Sequence, residues 1–560
     1  MKPNFRYSAL ALALSMTGFS AVAGNSATVN DQGTGNTLTI NQTGNNTAEI
    51  LAHADSSGNT ITYNQDGDMN QVVAEIYQGD NNDVLVDQTG DENVVELEVT
   101  DASDVGNSVV LTQVGEEGAT AAAQDNQQMV VDVDGANNVI NALQQAGDGT
   151  NDGGSRNGAG IVGNRLSITV DGDGSTVADV KQSGDGNNLL IDSEGDDNAI
   201  AADQIGDNNV AEIQNNGGRR SQADDNHVAV MQTGNDNYAR ITNDDGSDDN
   251  GDTSTRTGGF TITQNGDHNF ASIDNGALAE ENNISILQSN GMGNSAVVNN
   301  GWGGDANTID VKQLDGSSNQ ATVNNTGSSG DRNSFTILQK NGDGNIARIA
   351  NNGGDDNKDV GFAITQDGAS NQAYLTQEDG TDFNDVSAYQ QGDSNQATIN
   401  LDGQKPAWYN DNTYVDFSVS QMGNGNIATV DGNGVNNTTV MVDQYDNDNK
   451  ANLVLNGVTN STITTEQKGA ADADQGMNSI DLLVSGDNAY AMLTQTGFDN
   501  TIGGELDGSG AFEMNGNDLS LTVTQTGDMN AVAGSQSGTG FSATVTQLGN
   551  GNLTTINQGM

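Results

Sequence analysis

Residues 334–357 read SFTILQKNGDGNIARIANNGGDDN, and this stretch decides the fold. Phe335 and Ile337 stand two apart, and so do Ala347 and Ile349 after the glycine-rich turn. A period of two is that of a β-strand with one buried face, so the segment reads as strand, turn, strand. Gln339 follows in the same phase as Phe335 and Ile337, which points a polar amide inward. An unpaired buried amide costs about 1–3 kcal/mol, so a lone copy of this unit would be a poor design.

The unit is not alone. The pattern Gln-x-Gly-x-x-Asn occurs strictly from Gln65, Gln88, Gln182, Gln204, Gln232, Gln264, Gln366, Gln390, Gln421, Gln495, Gln525 and Gln547. Looser copies start at Gln42, Gln113, Gln145, Gln288, Gln313, Gln339, Gln444 and Gln467. Most neighbouring glutamines lie 22 to 32 residues apart, and no compositional break interrupts the series. Inward pairs recur before the turn (Val228/Val230, Phe260/Ile262, Val440/Val442) and after it (Ala211/Ile213, Ala239/Ile241, Ala428/Val430). A two-stranded unit is marginal in water, but stacked copies bury one another's faces. The expectation is an all-β fold, a β-solenoid of about twenty stacked repeats over 37–560, with loop inserts near 149–164, 242–259 and 403–413.

Stacking resolves the buried amide. Each Gln NH₂ then lies beneath its copy in the next rung and donates to that copy's carbonyl, so the column satisfies itself. A one-residue slip would break the column, which fixes register. Eleven or twelve residues after the glutamine a second amide recurs at Asn215, Asn243, Asn275, Asn300, Asn325 and Asn351, then Gln377, and is read as a partial second ladder. The residue after the turn glycine is often acidic, at Asp68, Asp91, Asp185, Asp207, Asp267, Asp393 and Asp528. Like charges on successive rungs cost about 1 kcal/mol each in water and are screened by salt, so these acids read as gatekeepers against premature assembly or as a solvated face.

Composition sets the outer limits. The 560 residues carry 73 Gly, 2 Pro, no Cys and a formal charge of −60, with 33% hydrophobic and 4% aromatic residues. Such a balance is common in disordered chains, but disorder does not explain a register held over hundreds of residues. The acidic excess excludes charge-driven binding to nucleic acid or anionic membranes. The opening MKPNFRYSALALALSMTGFSAVAGN has a basic start, an apolar run and a small-x-small signal. It reads as a secretory signal peptide over 1–23, cleaved after Ala23, followed by an N-terminal segment over 24–36. No later stretch is apolar enough to span a bilayer as a helix. His53, His227 and His268 stand at unrelated repeat offsets and no regular Gly-Gly-x-Gly-x-Asp series exists, so no metal or other cofactor is expected. The acids form no local constellation of acid, base and orienter, so no enzyme is expected.

QTGNDNYARI from Gln232 and QNGDHNFASI from Gln264 resemble the curlin repeat of the curli major-subunit family, secreted amyloid proteins of bacterial biofilms. The resemblance covers nearly all of the chain after the leader, although the second amide is mainly Asn here where the family has Gln. It implies export through a dedicated outer-membrane channel, a nucleator subunit, and head-to-tail self-assembly into extracellular fibres serving biofilm and adhesion. The alternative is a monomeric acidic solenoid adhesin that binds surfaces or divalent cations.

Overall fold

The computed structural model describes residues 24–558 apart from 101–105, 116–126, 134, 146–162, 171, 194–197, 217–226, 245–258, 276–282, 300–307, 325–329, 332–333, 351–356, 359–360, 377–384, 401–414, 434–436, 458, 470–475 and 506–509. The proposed leader with Ala23, and most of the three inserts, lie outside the described residues. Among the described residues there are strands and no helix, and every strand pairing is parallel. The chain is a β-solenoid that falls into two compact units, Met1–Glu281 and Asn282–Met560.

Each unit has the same construction. A glutamine-bearing strand such as His227–Thr233 runs into a tight turn, then into a second strand such as Tyr238–Asp244. The glutamine-bearing strands stack on one another as one sheet, and the second strands stack as the facing sheet. Among the described residues, nine strands form the glutamine sheet of the first unit and eleven that of the second. This is the expected period, and the registers keep like with like: Gln204 stands opposite Gln232, and Gln421 opposite Gln444.

The core between the sheets is built from the inward residues of both. Val228 and Val230 face Ala239 and Ile241, all at most 2% exposed. Small Ala on one sheet against β-branched residues on the other lets two short strands approach closely, which suits a narrow core. The stretch Thr176–Ser183 carries one residue more than its neighbours, and the pairing shifts at Asp179, whose φ is +56°. This bulge absorbs the extra residue, so Val177, Val180 and Gln182 all still point inward.

Two sequence expectations need changing here. The segment 24–36 is not merely a lead-in, because Ser26–Asp31 is a strand of the second sheet in register with Thr47–Ala52. The inward glutamine of the rung Val139–Gln145 is Gln144, paired with Gln113 and fully buried, whereas Gln145 is exposed. Turn spacing favours Gln145, which stands two residues before a glycine. Strand phase overrules it, since Ile140 and Ala142 are the buried residues and period two then selects Gln144.

One core residue is out of keeping. Tyr63 occupies an inward position between Ile40 and Val86, is fully buried, and its hydroxyl has no hydrogen-bond partner. Burial also pushes its ionisation far above the ordinary tyrosine range. Removing an unsatisfied buried hydroxyl while keeping the ring should help, so Tyr63→Phe is expected to stabilise the first unit by about 1–2 kcal/mol. Chemical denaturation compared with wild type measures this, and a destabilised variant would show that the hydroxyl is satisfied.

Candidate functional site

The inward glutamines form one hydrogen-bonded column in each unit. In the first, Nε2 of Gln42 donates to Oε1 of Gln65, and the series continues through Gln88, Gln113, Gln144, Gln182, Gln204, Gln232 and Gln264 at 2.7 to 2.9 Å. In the second it runs from Gln288 through Gln313, Gln339, Gln366, Gln390, Gln421, Gln444, Gln467, Gln495 and Gln525 to Gln547, again at 2.7 to 2.9 Å. Every bond has the same sense, with the NH₂ of one rung donating to the rung that follows.

The second N–H of the same amide points elsewhere. Gln232 Nε2 donates to the carbonyl of Val210 at 3.0 Å, and Gln339 Nε2 to that of Gln320 at 2.8 Å. Val210 and Gln320 open strands of the facing sheet one rung earlier. Each glutamine therefore ties rung to rung and sheet to sheet. An aliphatic residue could do neither, which is the physical reason for an amide in this place.

The turn asparagine makes a second column that sequence reasoning treated only as a turn former. Asn187, Asn209, Asn237 and Asn269 are fully buried. Asn187, Asn209 and Asn237 each accept at Oδ1 from the backbone N–H of the next, at 3.0 to 3.1 Å. Nδ2 of Asn209 and Asn237 donates to the carbonyls of Gly234 and Gly266, both at 2.7 Å. The same pattern runs from Asn319 to Asn552 in the second unit. A third column, Asn36, Asn59, Asn82, Asn107 and Asn138, joins the opposite turns of the first unit. The signal for the column through Asn237 was present in the recurrent Gln-x-Gly-x-x-Asn spacing, whereas Asn36, Asn59, Asn82, Asn107 and Asn138 lie outside that motif, six residues before Gln42, Gln65, Gln88, Gln113 and Gln144.

The second amide series expected after the glutamines is only partly described. Asn215 pairs with Asn243 and Asn243 with Asn275 in the backbone register, and Asn275 is buried. The side chains of Asn215 and Asn243, and all of Asn300, Asn325, Asn351 and Gln377, lie outside the described residues.

The acidic turn residues have a role that their charge conceals. Asp91 Oδ1 accepts the backbone N–H of Asp68 at 2.7 Å, and Asp68 Oδ1 that of Asn45 at 2.8 Å. Asp207 accepts from Asp185, Asp267 from Asn235, Asp393 from Ala369 and Asp528 from Phe498, all at 2.7 to 3.0 Å. Asparagine fills the same place at Asn235, Asn424 and Asn550. The column therefore joins rungs while its like charges repel, and a charge-assisted bond to N–H offsets part of the repulsion.

No family model matches this chain. A comparison with curated proteins finds no significant similarity either. Among the described residues no three His, Asp or Glu side chains are grouped to hold a metal ion. The described acids with raised ionisation lie on outer sheet faces: Asp203 and Asp481 through burial, and Asp443 through burial and the carboxylate of Glu466 one rung away. A carboxyl whose folded value is raised binds its proton more readily when folded, so its contribution favours folding as pH falls. Stability of the second unit is expected to rise as pH is lowered from neutral into the range just above ordinary aspartate ionisation. Denaturation at a series of pH values measures it, and a loss of stability over that window would show that other groups dominate.

Proposed function

We propose that this chain is a secreted structural protein that self-assembles head to tail into extracellular, curli-like amyloid fibres for biofilm matrix and adhesion. The observation that carries the reading is the one-directional glutamine column. Its bonds join side chains 22 to 38 residues apart, so they do not depend on chain continuity between rungs. A rung from a second copy offers the same donor and acceptor, each bond contributing about 0.5–1.5 kcal/mol net, and the fixed sense allows only head-to-tail addition. Export through an outer-membrane channel and a nucleator subunit belong to the same reading through the curlin resemblance.

Electron microscopy and fibre diffraction of the purified chain in low and physiological salt test it. Fibres with a meridional spacing of about 4.7–4.8 Å are expected, forming faster in salt. Monomers that persist in both conditions while remaining rich in β-structure would overturn it in favour of the monomeric adhesin. One observation favours that second reading: Nε2 of Gln547 donates to the carbonyls of Ala531 and Asn552 and to Thr554 Oγ1, so this amide is satisfied within its own neighbourhood.

The acidic column supplies a brake within the same proposal. Changing Asp68, Asp91, Asp185 and Asp207 together to asparagine keeps every Oδ1 acceptor and removes four charges. The polymerisation lag in low salt is expected to shorten, with little change in physiological salt, followed by light scattering. A lag indifferent to both salt and these substitutions would leave the acids as a solvated face.

A further inference from the structure

The outer face of the glutamine sheet changes character in the rungs of Leu493–Thr496, Leu521–Thr526 and Ala543–Leu548. Thr494 stands opposite Thr524 and Thr496 opposite Thr526. Thr522 stands opposite Thr544 and Thr524 opposite Thr546. Seven threonines thus occupy a three-by-three grid whose other two corners are Met492 and Leu548, both exposed. The grid carries no charge in a protein of net charge −60, and the preceding rung restores it with Glu466 and Lys468. None of the seven hydroxyls has a hydrogen-bond partner among the described residues.

We infer that this face binds ice, through an ordered layer of water held on the threonine grid. The argument is one of spacing and chemistry. Parallel in-register strands set the hydroxyls about 4.8 Å apart across rungs and about 6.6 Å apart along a strand. The spacing across rungs is close to the shorter oxygen repeat on a prism face of hexagonal ice, and the spacing along a strand is about a tenth shorter than the longer one. Each threonine offers a hydroxyl that donates and accepts, beside a methyl that water must order around. A lattice of neutral water is matched by an uncharged surface, and a charged face would hold a disordered shell of counter-ions instead. A saccharide partner fits less well, because the grid itself carries no aromatic ring on which a sugar could stack; the exposed Tyr490 stands at its edge, beside the Met492 corner. This inference is independent of fibre assembly, since all seven residues belong to one unit and face outward.

Ice-affinity partitioning of the full chain in low salt tests it, with Thr524→Tyr at the centre of the grid and Ser420→Tyr, outward on a distant rung of the same sheet, as the control. Circular dichroism establishes that both variants keep the wild-type fold. Wild type and Ser420→Tyr are expected to enter growing ice at least about tenfold more than Thr524→Tyr, the loss typical of disrupting a central contact. Exclusion of the wild type from ice to the same extent as Thr524→Tyr would overturn the inference. Retention on insoluble cellulose with exclusion from ice would overturn it too, and would assign the face to a neutral polysaccharide.

Discussion

Replacing Gln232 by glutamate is expected to open the solenoid at that rung. The amide donates to Gln264 Oε1 at 2.9 Å and to the Val210 carbonyl at 3.0 Å, and it accepts from Gln204 at 2.8 Å. A carboxylate keeps the acceptor and loses both donors, so its second oxygen faces two carbonyl oxygens in a site with no exposure. An uncompensated buried charge of this kind costs about 3–5 kcal/mol. The variant carboxyl is held above its ordinary range by burial, so the penalty applies above that raised value and fades as pH falls through it. Hydrogen exchange at residues 227–241 should show fast opening at neutral pH and recovery in acid. Protection equal to wild type at neutral pH would mean that the amide column is dispensable. Gln232→Leu separates the two contributions, since it removes the charge and leaves three orphaned partners.

Gly234→Ala is the second large effect. Gly234 has φ +116°, a conformation that side chains rarely adopt, and a Cβ there would lie 2.2 Å from the carbonyl oxygen of Gly266 in the next rung. The obstacle is backbone that itself accepts from Asn237, so it cannot swing aside without losing that bond. Backbone strain and the clash together should cost about 3 kcal/mol or more. The loss should be local, because each rung contacts mainly its neighbours. Exchange at Gly234 and Gly266 should accelerate by at least two orders of magnitude, while the rungs around Gln65 and Gln88 keep their protection. Unchanged exchange would show that the turn can rearrange around a side chain.

The turn position before each buried asparagine shows how unevenly sequence reports on structure. It is left-handed at Asn208, Asp236 and His268, and equally at Met69 and Met529, which are residues with no preference for that conformation. Residue type alone marks the first two and not the methionines. The turn is imposed by the hydrogen bonds on either side of it, and local propensity yields to them.

Much of the architecture was nonetheless legible in the chain. Period two around Phe335 and Ile337, the twenty glutamines and their spacing determined a stacked β-solenoid, because no other arrangement buries so many inward amides without leaving them unpaired. The tertiary structure alone decided three things. It selected Gln144 over Gln145, it turned the asparagines inward as Asn187, Asn209 and Asn237, and it made Asp91 an acceptor for the backbone of Asp68. Each depends on what lies one rung away, some 22 to 38 residues along the chain. Spacing in the sequence shows that a column exists. Which groups within it meet is settled only when stacking places them about 4.8 Å apart.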